Sequence, residues 1–133
     1  MNMTTPHSRA VFVVDGTKFS TLAEAGAEFT RALGFTSPWA GSLCALSVML
    51  RGGFGTPNDD FALVWRHSDV SRKRLGYEET VRWCERELTN GHPSMLPATR
   101  QGLQEAQQRC GATVFDWLED IIRSHRHIEL RLE

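Results

Sequence analysis

Ala10-Val11-Phe12-Val13-Val14-Asp15-Gly16 is the stretch that decides the fold. Five apolar residues in a row, three of them valines, predict a strand, and the Asp15-Gly16 pair predicts the turn that ends it. The run has no alternating polar face, so it reads as a strand buried on both faces, as in a parallel sheet. Working outward, Thr21-Leu22-Ala23-Glu24 has the spacing of a capping box, in which each side chain satisfies the other's amide. Leu22, Ala25, Phe29 and Leu33 then recur on one helical face, and Gly34 stands where a left-handed cap is needed. The spacing predicts a helix over 22–33.

The rest of the chain repeats the alternation. Leu43, Leu46 and Leu50 mark a second helix, ended by Gly52-Gly53. Phe61-Ala62-Leu63-Val64-Trp65 is a second strand of the buried kind, and it places Trp65 in the core. A short helix over 67–75 follows, with Ser68 or Asp69 as its cap. Tyr77, Val81, Cys84 and Leu88 mark another helix, Asn90-Gly91-His92-Pro93 breaks it, and 97–110 reads as a further helix ended by Gly111. Val114, Leu118, Ile121 and Ile122 share one face of an amphipathic helix over 113–124. His127-Ile128-Glu129-Leu130-Arg131-Leu132 alternates with period two, which predicts a strand at the sheet edge with one solvated face. Strands separated by helices predict an α/β fold, a small three-stranded parallel sheet with helices mainly on one side.

The chain has 133 residues, the size of one domain. Hydrophobic residues are 41% and charged residues 23%, a globular balance that argues against extended disorder. The 15 basic and 16 acidic residues leave a net charge of −1, against the basic excess of proteins that neutralise many phosphates. Cys44, Cys84 and Cys110 form no CxxC pair, so neither a structural zinc site nor a redox pair is expected. With no apolar leader in the first nine residues and no membrane-length apolar run, the expectation is a cytoplasmic protein with reduced thiols.

A search for chemistry finds no catalytic constellation and no cofactor motif. Arg51-Gly52-Gly53-Phe54-Gly55 is glycine-rich but follows no strand, the wrong context for a phosphate cradle. His125 and His127 could share a strand face and a metal, yet no third ligand is evident; a solvated pair favoured by a helix C-terminus is the simpler reading. Cys44 has no base beside it, so packing or an interface is its expected role. Trp39, in a connector after Pro38, is either a staple onto the core or an exposed anchor for a protein partner, and Trp117, at the margin of its helix stripe, is open in the same way. Asp116, Asp120 and Arg123 lie on one polar face with Glu119 beside them, either simply solvated or facing a basic partner. Arg66, Arg72, Lys73 and Arg74 make a small basic patch that could meet phosphates.

The opening from Ala10 to Gly16 and the first helix to Gly34 resemble the barstar-like family of intracellular ribonuclease inhibitors. So do the segment Pro38-Trp39-Ala40-Gly41-Ser42-Leu43-Cys44 to Leu50, the strand ending Trp65-Arg66, and the closing helix and strand. The resemblance covers residues 10–76 and 112–133. It implies an immunity protein, not an enzyme, that needs no cofactor or metal and neutralises a cognate nuclease toxin by occlusion, as a 1:1 heterodimer. It places the contact surface at Trp39, Ala40, Gly41, Ser42, Cys44, Ser47 and Val48, with Asp120 where the family carries a carboxylate on the closing helix and Asp116 beside it for steering. No nucleic acid and no membrane are implied as partners. Two departures stand out. Cys44 and Val48 occupy positions where barstar-like helices carry phosphate-mimicking carboxylates, which implies a partner of different charge or a different contact. Residues 77–111 are a helical insertion within the single domain 1–133, either scaffold or a new binding surface. The alternative function is a nucleic-acid-binding regulator on the same fold, acting through the Arg66–Arg74 patch.

Overall fold

The computed structural model describes residues 10–36, 43–51, 60–91 and 93–133, with the side chain of Cys44 left aside. Three strands, β1 (Ala10–Asp15), β2 (Phe61–Arg66) and β3 (Ile128–Leu132), form a parallel sheet in the order β1-β2-β3. The helices among the described residues are α1 (Leu22–Leu33), α2 (Leu43–Leu50), α3 (Ser68–Arg74), α4 (Tyr77–Asn90), α5 (Leu96–Gln107) and α6 (Val114–Arg123). A short 3-10 turn at Pro93–Met95 leads into α5.

The register explains the layering. Val14, Trp65 and Leu132 are aligned across the sheet, as are Phe12, Leu63 and Leu130. These side chains meet Phe29 and Leu33 of α1, Leu46 and Leu50 of α2, and Phe115, Leu118 and Ile122 of α6 in one core. Trp65 is fully buried, with rings of Phe19, Phe29 and Phe115 around it at centroid distances of 6.2, 5.3 and 5.0 Å. On the opposite sheet face Val11 and Val13 remain 56% and 43% exposed. The expectation that the first strand is buried on both faces is therefore corrected. β1 is an edge strand, and only the central β2 is buried through Phe61–Trp65. Period-free apolar runs do not distinguish an edge from a centre, because that depends on strand order.

The outer edge of β1 is partly closed by α1. The Asp15 amide donates to Glu28 Oε2 (2.9 Å), and Arg31, bound to the same carboxylate at 2.6 Å, reaches the Val13 carbonyl. Satisfying these two backbone groups with side chains blunts the carboxyl end of that edge. The Arg31 hydrogen bonds hold the buried Glu28 carboxyl below its ordinary range, against the opposing effect of burial.

Helix ends show where local reading succeeds and fails. α1 has its predicted bounds, with Thr21 Oγ1 accepting from the Glu24 amide and Gly34 left-handed at φ 72°. Glu24, however, accepts from the Ser20 amide and not from Thr21, so the reciprocal half of the box slips by one residue. α3 is not capped by Ser68 or Asp69. Its N-cap is His67, left-handed at φ 56° and making no side-chain cap bond. Ser68 instead donates both its amide and its hydroxyl to the Glu133 carbonyl, fastening α3 to the end of β3. α6 starts in a full capping box between Thr113 and Asp116.

The hairpin of α4 and α5 is tied to the body at its first turn. Glu79, fully buried, accepts from the Leu22 amide at the start of α1 (2.8 Å). Thr80 Oγ1 accepts from the Val114 amide at the start of α6 (2.9 Å). One turn of α4 thus caps two helices of the sheet layer, so this part of the hairpin acts as scaffold.

Candidate functional site

α2 packs along α6, with Leu43 in a groove beside Trp117 and the Ser47 carbonyl at His125. Leu46, Met49 and Leu50 are buried, whereas Ser47 is half-buried and Val48 is 48% exposed. α2 carries no acidic residue in its first turn and no basic residue in its last, so its outward face is small and neutral. Of the contact residues expected from the sequence, Trp39, Ala40, Gly41, Ser42 and the Cys44 side chain lie outside the described residues. Ser47 and Val48 are the described members of that surface.

α2 is tethered from across the core. His125 follows α6 and precedes β3. Its Nδ1 lies 2.8 Å from the Ile121 carbonyl and its Nε2 3.0 Å from the Ser47 carbonyl. A neutral ring donates to one of these carbonyls at a time. His125 and His127 are thus not a solvated pair. Both are half-buried, and His127 stacks edge-on against Phe61 at 5.6 Å. The loop register, not the helix dipole, decides their place. Among the described residues no cluster of three metal-ligating side chains exists. His125→Ala is expected to lower stability by about 1 kcal/mol, the worth of one such hydrogen bond. It should also speed amide exchange selectively in α2 by about fivefold, read by hydrogen-exchange mass spectrometry.

The two acids of α6 separate in role. Asp116 Oδ2 accepts from the Thr113 amide (2.9 Å), and its Oδ1 lies 4.0 Å from Arg72. It is a helix cap at the carboxyl end of the sheet, its side chain still 41% exposed. Asp120, one turn on, is exposed. Glu119 and Arg123 pair with each other at 2.8 Å. Trp117 is half-buried against Trp83, ring centroids 5.3 Å apart, in an apolar groove of about 410 Å³ that also includes Leu43, Met95 and Gly102. Cys84 is buried, and desolvation, with Glu87 and Glu85 adding to it, pushes its thiol above the ordinary range; a thiol so disposed is a poor nucleophile. Cys110 is exposed.

At the carboxyl end, where parallel sheets of open α/β folds place their crevices, the turn after β1, α3 and the starts of α4 and α6 surround a cleft of about 650 Å³. Arg72, Lys73 and Arg74 line it, as the sequence patch suggested, but Arg66 does not. Arg82 joins them from α4 and Arg109 from the turn after α5. These two were illegible as members of one site, since only the packing of α4 and α5 brings them beside α3.

Among the described residues no helix is long and apolar enough to cross a membrane. Compared with known proteins, the chain matches no family model and no curated relative.

Proposed function

We propose that this protein is an immunity protein that binds a cognate nuclease toxin, a ribonuclease by the barstar-like resemblance of its segments, and neutralises it by occlusion. The observation that carries the reading is the outward face of α2. It follows directly on the Trp39–Ser42 stretch, presents Ser47 and exposed Val48, and carries no charged side chain within Leu43–Leu50. A helix with Leu46, Met49 and Leu50 anchored in the core and its neutral side outward is a rigid docking element, held further by His125. Rigid presentation lowers the ordering cost of binding.

The absence of a carboxylate at Cys44 and Val48 changes the chemistry of the contact. Charge mimicry gives way to an aromatic anchor, Trp39, and apolar packing, with the exposed Asp120 available to a basic rim. The partner chemistry that fits is a nuclease with an apolar shelf beside its basic active site.

The test is co-purification with the product of the neighbouring gene, followed by an RNA-cleavage assay with increasing amounts of this protein. Stoichiometric inhibition is expected. Trp39→Ala should weaken binding by tenfold or more, the effect of losing a buried aromatic anchor, with an unchanged melting temperature. Unchanged affinity on calorimetric titration counts against the anchor, and cleavage unaffected at saturating protein counts against the function.

A further inference from the structure

The cleft at the carboxyl end of the sheet is a concentration of like charge that folding alone does not require. Arg72, Lys73 and Arg74 come from the last turn of α3, Arg82 from α4 and Arg109 from the turn after α5. Two carboxylates, Glu78 and Asp116, face the same space. The cleft therefore holds a surplus of three positive charges in a chain whose net charge is −1.

The ordinary account of such cations covers part of the set. Cations in the last turn of α3 complement its helix dipole. Arg74 donates to the carbonyls of Thr17 (3.0 Å) and Phe19 (3.3 Å). Arg82 pairs with Glu79 at 2.9 Å, and Arg72 lies over the Phe115 ring at 4.4 Å. Each of these guanidiniums keeps further N–H groups for the cleft, since an arginine has five. The side chains of Lys73 and Arg109 have no ion pair or hydrogen bond among the described residues, and no packing role explains their convergence from separate elements. Bringing like charges together costs self-repulsion, which an anion in the cleft would offset.

We infer that this cleft binds a small phosphorylated molecule of nucleotide size. The volume of about 650 Å³ lies within the range of small-ligand sites. Arginines fork onto phosphate oxygens and Lys73 adds a point charge. Glu78 and Asp116 suit a ligand that also carries hydroxyl or amino donors, as a nucleotide does, and disfavour a continuous polyanion. The half-buried Tyr77 lines the same space and offers a ring to a base. No residue of α2 lines the cleft, and the inference does not rest on the nuclease-binding reading.

The experiment is calorimetric titration of the whole protein at low salt with ADP, pyrophosphate and adenosine, and with a short single-stranded RNA. Saturable 1:1 binding of ADP and pyrophosphate is expected, with none of adenosine. The double variant Lys73→Glu, Arg109→Glu should lose about tenfold or more in affinity while melting and nuclease inhibition stay as in the parent. Failure of ADP and pyrophosphate to bind at millimolar concentration overturns the inference, as does equal binding by the double variant. RNA bound more tightly than ADP, and lost in the double variant, overturns it in favour of a nucleic-acid site.

Discussion

Glu79→Ala is expected to lower stability by about 3 kcal/mol, measured by urea unfolding, and the melting temperature by roughly 10 °C. Glu79 belongs to α4, and its loss is felt 57 residues away at the start of α1. Its carboxylate is fully buried and accepts from the Leu22 amide, one of the donors that α1 leaves without an intrahelical partner. Alanine strands that amide in the core. The ion pairs with Arg82 and Arg86, at 2.9 and 3.8 Å, add less, because both arginines are about half exposed. Glu79→Gln keeps an acceptor oxygen at the same place and should cost about 1 kcal/mol. The contrast between the two variants is the test. Equal losses would mean that the charge, and not the cap, carries the effect; two negligible losses would mean that the hairpin is an appendage.

Gly16→Ala should be at least as damaging, by about 3–4 kcal/mol, or prevent folding at elevated temperature. Gly16 closes the corner between β1 and β2. Its amide donates to the Arg66 carbonyl (2.8 Å), and its own carbonyl accepts from the Ser71 hydroxyl, which in turn accepts from the Trp65 indole (2.9 Å). A Cβ at this position would lie 2.6 Å from the His67 carbonyl and 2.7 Å from that of Arg66, with Ser71 Oγ also in its way. Two of these three obstacles are backbone and cannot rotate aside. Ser71→Ala in the same chain should therefore fail to rescue Gly16→Ala, and by itself should leave the buried indole N–H unpaired at a cost of about 1–2 kcal/mol. Rescue by Ser71→Ala, seen as a restored unfolding midpoint, would show that the side chain alone sets the constraint.

The Asp15-Gly16 signal was readable as a turn, yet the reason for glycine was not. A turn glycine is expected to adopt a positive φ, whereas Gly16 is needed for close approach of a strand 50 residues away. His67 shows the converse: a left-handed cap without glycine or asparagine, held because Ser68 is fixed to Glu133. Ser68 and Asp69 carried a good local signal for a cap, and the tertiary hydrogen bond outcompeted it. Asp116 and Asp120 share a helix face, and Asp116, three residues after Thr113, also has its carboxylate in the capping box.

What the sequence by itself determined is whatever depends on neighbours within a few residues. The bounds of α1, the Gly34 cap, the three strands and the stripe of α6 all follow from periodicity and end chemistry, because side chains three or four apart on a helix, or two apart on a strand, share a face regardless of the rest of the chain. The tertiary structure decided which strand lies in the centre, what caps the buried helix ends and which charges gather. Glu79 meets Leu22 across 57 residues, His125 meets Ser47 across 78, and Arg109 faces Lys73 over one cleft. Such pairings are set by how the layers pack around Trp65, and packing is a property of the whole core that no local spacing encodes.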